Sequence, residues 1–293
     1  MSLTMLVLMY LLSLTYPGPA VNGVKIVTRQ ITGGLTDTRT EYITANRFRN
    51  EWETRSNDHS GPTMASIIQR GDRDRIYILD LRSKEYVTYE TDSRGTALGT
   101  KATTSGNSGG TLHIWIENID TGQRKEIFGH SARHIITKEK RRVSPGACSK
   151  DSDSQTDGWY IDDSVMPEWR QSKKSSMGVA VASVVSVGTR NDCQDKMDKI
   201  EVHRIGAEVG FPVMSKTTLK SEVTERDGTP RMLESSSGSE VVELREGPLD
   251  PALFEVPPDF RQVDSLKNWL ATTPRRQLSG WEWFKDKFQE IFR

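Results

Sequence analysis

The chain has 293 residues, and its 40 Lys and Arg balance its 40 Asp and Glu, so bulk charge does not mark it for nucleic acid or an anionic membrane. Hydrophobic residues make up 34% and charged residues 27%. That composition excludes wholesale disorder and a polytopic membrane protein, and the length admits one large all-β domain or about two ordinary ones.

No charged residue precedes Lys25, and residues 3–16 (LTMLVLMYLLSLTY) form a nearly unbroken apolar run ahead of Pro17-Gly18-Pro19-Ala20. The run is shorter than the roughly 20 residues a spanning helix needs. With its helix-breaking end it reads as a secretory signal that lacks the usual basic start. Residues 1–23 are therefore set apart as a signal peptide, cut after Ala20 or after Gly23, and the mature protein is expected in the periplasm or secreted. An uncleaved N-terminal membrane anchor and a cytosolic hydrophobic strand are the alternatives.

Residues 24–262 are expected to form one mainly β domain. Residues 24–32 (VKIVTRQIT) alternate as a strand, and Gly33-Gly34 signals a turn before the polar stretch 36–53. Residues 75–81 (RIYILDL) and 85–91 (EYVTYET) make the clearest hairpin, apolar on both faces. After a glycine-rich loop at 96–110, residues 112–119 and 123–128 read as a second hairpin turned at Asp120-Thr121-Gly122, continued by 132–137. A loop is expected over 144–158, a helix start at 166–170, and further strands at 199–204, 213–221 and 240–245, with 235–239 a flexible tip. In residues 177–190 (MGVAVASVVSVGTR) one face is bulky and the other, with Ala180 and Ala182, nearly bare. The tail, 263–293, changes period: Trp281, Phe284, Phe288, Ile291 and Phe292 recur at helical spacing behind Ser279, an amphipathic C-terminal helix with balanced charge.

Cys148 and Cys193 are the only cysteines. In an exported chain an isolated pair reads as a disulfide, worth roughly 3–4 kcal/mol by loop closure; two separate thiols are the other reading. No constellation identifies a reaction, so an enzyme, a cofactor and a metal are not expected. Ser108 within GNSGG, with His59 and Asp80 or Asp92 upstream, follows the order of a chymotrypsin-like triad. The intervening stretch is too short to build that family's two barrels, and a triad needs geometry that five residues do not supply. His130 and His134 would converge on one ion only in a helix; on a strand they stand about 13 Å apart. Asp151, Asp153 and Asp157 depart from the spacing of a calcium loop. Residues 138–142 (KEKRR) read as a solvated edge.

Residues 75–91, 127–136 (IFGHSARHII), 157–162 (DGWYID) and 250–260 (DPALFEVPPDF) together resemble an uncharacterised family of exported bacterial proteins with a lipoprotein-carrier-like (LolA/LolB-like) half-barrel. The resemblance implies a curved antiparallel sheet covered by a few helices, with an apolar face that holds acyl chains and no catalytic residues. Tyr77, Leu79, Ile114, Trp115, Ile116, Ala180 and Ala182 are the candidates to line such a cavity. The expected function is thus a non-enzymatic β protein that binds a lipid or acylated peptide, or an envelope partner. A hydrolase with a loop-built site and a purely structural envelope protein are the alternatives. Nucleic acid is not an expected partner.

Overall fold

The computed structural model describes residues 20–33, 35–55, 63–91, 108–167, 197–224 and 229–266. Among them the chain is mainly β, and its strands join in one curved sheet that does not close. In chain order these are β1 (Val21–Thr32), β2 (Leu35–Ile43), β3 (Arg47–Arg55), β4 (Thr63–Arg70), β5 (Arg75–Asp80), β6 (Glu85–Glu90), β7 (Ser108–Ile127), β8 (His130–Val143), β9 (Ser152–Ile161), β10 (Met197–Gly206), β11 (Phe211–Thr224), β12 (Pro230–Leu249) and β13 (Arg261–Gln262). Their order across the sheet is β10-β7-β8-β9-β11-β12-β1-β2-β3-β4-β5-β6-β13.

Ten of the pairings are antiparallel, as expected, but both edges are not: β10 runs parallel to β7, and β13 parallel to β6. The sheet is therefore mixed. Each edge strand arrives by a crossing rather than a hairpin, and a crossing can bring a strand in along its neighbour's direction. The expected covering helices do not appear among the described residues, where the helical elements are 3-10 turns at Asp163–Val165 and Pro251–Phe254. No described helix is long and apolar enough to cross a membrane. Residues 1–19, most of 166–170, the whole of 177–190 and the helix expected at 280–293 lie outside the described residues.

The β5–β6 hairpin forms where aromatic and β-branched residues alternate, and Asp80 accepts the turn N–H groups of Arg82 (2.9 Å) and Ser83 (3.2 Å). Elsewhere the turn signals mislead. Asp120-Thr121-Gly122 does not reverse the chain but makes a bulge within β7, with the Asp120 carboxylate accepting Gly122 N–H at 2.9 Å and Gly122 at φ +81°. The reversal falls at Phe128 (φ +54°) and Gly129 (φ +76°), the doubly left-handed two-residue turn that suits strand twist.

The stretch at 152–158, expected as loop, is most of β9, and the serines at 235–239, expected as a flexible tip, lie inside β12. Cross-strand polar pairs replace apolar ones there. Thr156 and Thr217 share a hydroxyl hydrogen bond at 2.8 Å, and Ser215 and Ser239 one at 3.4 Å. The basic run 138–142 is likewise not an edge: β8 lies between β7 and β9, and Arg142 bonds Asp153 of β9 at 2.7 Å.

Among the described residues two apolar clusters hold the sheet. The larger joins Val24, Ile26, Ile43, Ala132, Ile161, Met166, Phe211, Val213 and Val241. Ala132 on β8 and Ile43 on β2 share it across four intervening strands, so the sheet curls around this core. The smaller cluster, Ile68, Leu79 and Phe254, sits beneath residues 250–263, which cross from the centre of the sheet to its β6 edge as a strap. Arg49 Nη1 donates to the Leu253 carbonyl at 2.8 Å and Arg70 Nη1 to the Phe254 carbonyl at 3.3 Å. Beyond them Arg261 N–H bonds the Lys84 carbonyl and Val263 N–H the Tyr86 carbonyl, both at 2.9 Å.

Arg70 is buried, and its guanidinium meets Asp72 in a fork, Nε to Oδ1 at 2.7 Å and Nη2 to Oδ2 at 2.8 Å, while Nη1 also bonds Glu255 of the strap. Above all the hydrogen bond from Arg70, then its charge and that of Arg47, hold the Asp72 carboxyl down at about 2. This value lies below that of an unfolded aspartate, so the stabilisation is complete above about pH 4 and is lost as pH falls through the folded value. After screening at the exposed rim of the pair it amounts to about 1–2 kcal/mol. The urea midpoint is expected to drop between pH 5 and pH 2, and Asp72→Asn to flatten that drop; an unchanged slope in the variant would assign the acid sensitivity to other groups.

Candidate functional site

The cavity candidates among the described residues fall in two separate places. Leu79 is fully buried under Phe254, and Tyr77 packs in the same cluster, edge-on to Tyr86 with ring centroids 6.2 Å apart. The strap thus occupies the place a ligand would take there. Ala180 and Ala182 lie outside the described residues, as does Cys193, partner of the half-buried Cys148 in the expected disulfide. The triad candidates do not assemble among the described residues either: Asp80 caps a turn, while His59, Asp92 and the Ser108 side chain are not described.

Ile114, Trp115 and Ile116 belong to a different place, the β7–β10 edge. The parallel register sets His113 opposite Glu201, Ile114 opposite Val202, Trp115 opposite His203 and Ile116 opposite Arg204. Because strand side chains alternate, this register sorts the edge into two chemically different faces. Leu112, Ile114 and Ile116 share one with Ile200 and Val202; His113 and Trp115 share the other with Glu201 and His203.

The apolar face extends onto β8, where Val143 stands opposite Leu112, Arg141 opposite Ile114 and Glu139 opposite Ile116. Ile200 and Val202 are 49% and 46% exposed, and the charged rim is Arg204 with the ion-paired Arg141 and Glu139. At its start the strip is closed off by the turn after β8. Gly110 permits this contact, since a Cβ there would lie 2.6 Å from the Ala147 nitrogen. The same turn anchors β10: Asp198 accepts N–H bonds from Cys148 (2.8 Å) and Ser149 (2.7 Å). Burial opposes the charge of Asp198, yet these bonds and one from Gly110 outweigh it and lower its carboxyl below the ordinary aspartate range.

The opposite face is aromatic and basic. Trp115 stacks on both imidazoles, with centroids 5.6 Å from His113 and 5.8 Å from His203. Nδ1 of His113 lies 3.1 Å from Oε2 of Glu201, and one donor atom from each of His113, Glu201 and His203 falls within 4.8 Å of the others. Sequence reasoning missed this group because the pairing joins residues far apart in the chain. The only local trace is that Glu201 and His203, like His113 and Trp115, are spaced two apart in strands.

The candidates that the sequence did single out for metals are spent elsewhere. His130 and His134 lie on one strand, and His134 Nε2 meets Asp157 Oδ1 at 2.8 Å. Asp151 accepts Val143 N–H at 2.9 Å, Arg142 pairs with both Asp151 and Asp153, and Asp157 is held by His134, so the carboxylates are engaged with cationic or N–H partners.

No protein-family model and no curated protein matches the chain. Among solved structures, one titled "Structure of PNGF-II in C2 space group" is similar at 10% identity and a TM-score of 0.31, over 84% of this chain and 31% of that one. The chain therefore spans about a third of the length of that structure, a likeness too distant to assign a fold or an activity.

Proposed function

We propose that the protein is an exported, non-enzymatic binding protein of the half-barrel carrier kind, taking an apolar ligand, a lipid or an acylated peptide, along the β7–β10 edge. The observation that carries this reading is the strip of Leu112, Ile114, Ile116, Ile200 and Val202, half exposed at its outer rim and framed by charge. A contiguous apolar patch rimmed by polar residues marks an interaction site more often than an idle surface. An extended acyl chain suits a strip only two strands wide, whereas a protein partner would ask for a broader contact. The apolar leader fits delivery outside the cytosol, and in that compartment Cys148 and Cys193 pair as a disulfide. Helices covering the sheet and the amphipathic C-terminal helix belong to the same proposal.

Native mass spectrometry of the protein purified after export, with organic extraction of bound material, tests the reading. The expected result is a co-purified lipid or acylated peptide and a mature chain two daltons lighter than its reduced form. Placing lysines at both Ile200 and Val202, which sit half exposed, is expected to lower uptake of a fluorescent acyl probe by about tenfold or more, from the burial lost with two aliphatic side chains. Unchanged uptake in that variant would move the site away from this edge, and an apo protein that takes up no acyl probe would leave the envelope-partner reading in its place.

A further inference from the structure

We propose that His113, Glu201 and His203 form a binding site for a divalent transition-metal ion, zinc foremost, on the face of the β7–β10 edge opposite the apolar strip. The site stands on its own geometry and does not depend on what the strip binds.

Register and alternation build it. His113 on β7 stands directly opposite Glu201 on β10, and His203, two residues on, projects from the same face. Their donor atoms already lie within 4.8 Å of one another, with His113 Nδ1 and Glu201 Oε2 at 3.1 Å. Zinc bonds of about 2.0–2.2 Å in a tetrahedral shell set donors roughly 3.4 Å apart. Closing the trio around an ion therefore asks for about an ångström of side-chain movement. Two imidazoles and one carboxylate are the borderline donor set that selects zinc or copper(II) over calcium or magnesium, which take all-oxygen shells. Three protein ligands leave a coordination position for water or an outside donor.

The surroundings divide the work. Lys199 holds Glu201 Oε1 at 2.8 Å, which leaves Oε2 turned toward His113. The other charged groups on this face of β7 and β8 are Lys138, Lys140 and Arg142 on β8, opposite Glu117, Trp115 and His113, and Glu117 itself beyond Trp115. Arg142 is engaged with Asp153 and Asp151. Trp115, stacked against both imidazoles, limits their rotation and places an indole beside the ion. Bonds from both strands would clamp the edge strand β10 onto β7, and ligand bound to the folded state alone raises its stability.

Isothermal titration of tag-free, chelator-stripped protein with zinc ion at neutral pH is expected to show one equivalent bound. His203→Ala and Glu201→Gln are each expected to weaken it by about tenfold or more, at least what disturbing the support of a ligand costs. His130→Ala is expected to leave it unchanged. His203 is exposed, so its removal leaves the fold intact, which circular dichroism checks. The zinc-induced rise in Tm and the quenching of Trp115 fluorescence by copper(II) ion are expected to disappear with His203→Ala. No zinc uptake by the wild-type protein, or uptake of undiminished affinity in His203→Ala or Glu201→Gln, would overturn the assignment.

Discussion

Phe254→Ala is expected to cost about 3–5 kcal/mol, the range for emptying a buried aromatic site. The ring is fully buried between Ile68 and Leu79, and it is the anchor by which the strap lies on the sheet. The polar contacts on either side depend on it. Arg49 and Arg70 donate to the carbonyls of Leu253 and Phe254, and a strap that lifts leaves the buried Arg70 with Asp72 alone. Arg70→Leu is therefore expected to lose a comparable amount, about 3 kcal/mol, the lower end for breaking a buried charged pair, since Asp72 and Glu255 both reach solvent. Because both residues hold the same strap, the double variant is expected to lose less than the sum of the two. Urea midpoints measure all three, and hydrogen exchange at Arg261 and Val263 reports whether β13 leaves β6. Additive losses would mean that the two contacts hold independent elements.

The parts of this fold legible from sequence are those in which apolar residues set the period. β5 and β6 declare themselves because Ile76, Ile78, Tyr77 and Leu79 alternate onto two covered faces. Only the end of β9, 159–161, reads as strand from sequence; residues 152–158 and the first half of β12 do not. Their alternation is one of hydroxyls and carboxylates, and it becomes favourable only once Thr217, Ser215 and Arg142 stand across from them. Asp120-Thr121-Gly122 carries the residues of a turn, and the same left-handed glycine serves equally well in a bulge. At the candidate site the sequence pointed to Ile114, Trp115 and Ile116 as one group, whereas alternation puts Trp115 on the far side from the two isoleucines. Pairing of β7 with β10 was beyond reach, since a parallel partner is fixed by topology rather than by a neighbouring turn. That pairing alone makes a cluster of His113, Glu201 and His203.

Met166→Ala is expected to cost about 2–5 kcal/mol, although this methionine lies in no strand. It follows the 3-10 turn at Asp163–Val165, where Asp162 caps by accepting Ser164 N–H at 2.8 Å and Met166 N–H bonds the Asp163 carbonyl at 3.2 Å. These bonds turn the chain back over the sheet directly after Ile161. The side chain is then fully buried in the cluster that spans β8 to β2. A curled sheet brings its inner faces together without closing, and a side chain supplied from outside the strands fills the space that curvature leaves; removing it opens a cavity that rigid strands collapse into poorly. Met232→Ala is the control, since that methionine is 63% exposed and its loss is expected to fall within about 0.5 kcal/mol. Urea unfolding followed by tryptophan fluorescence measures both, with Trp159 packed against the same cluster. A loss at Met166 no larger than at Met232 would show that the curvature is set by the strands alone.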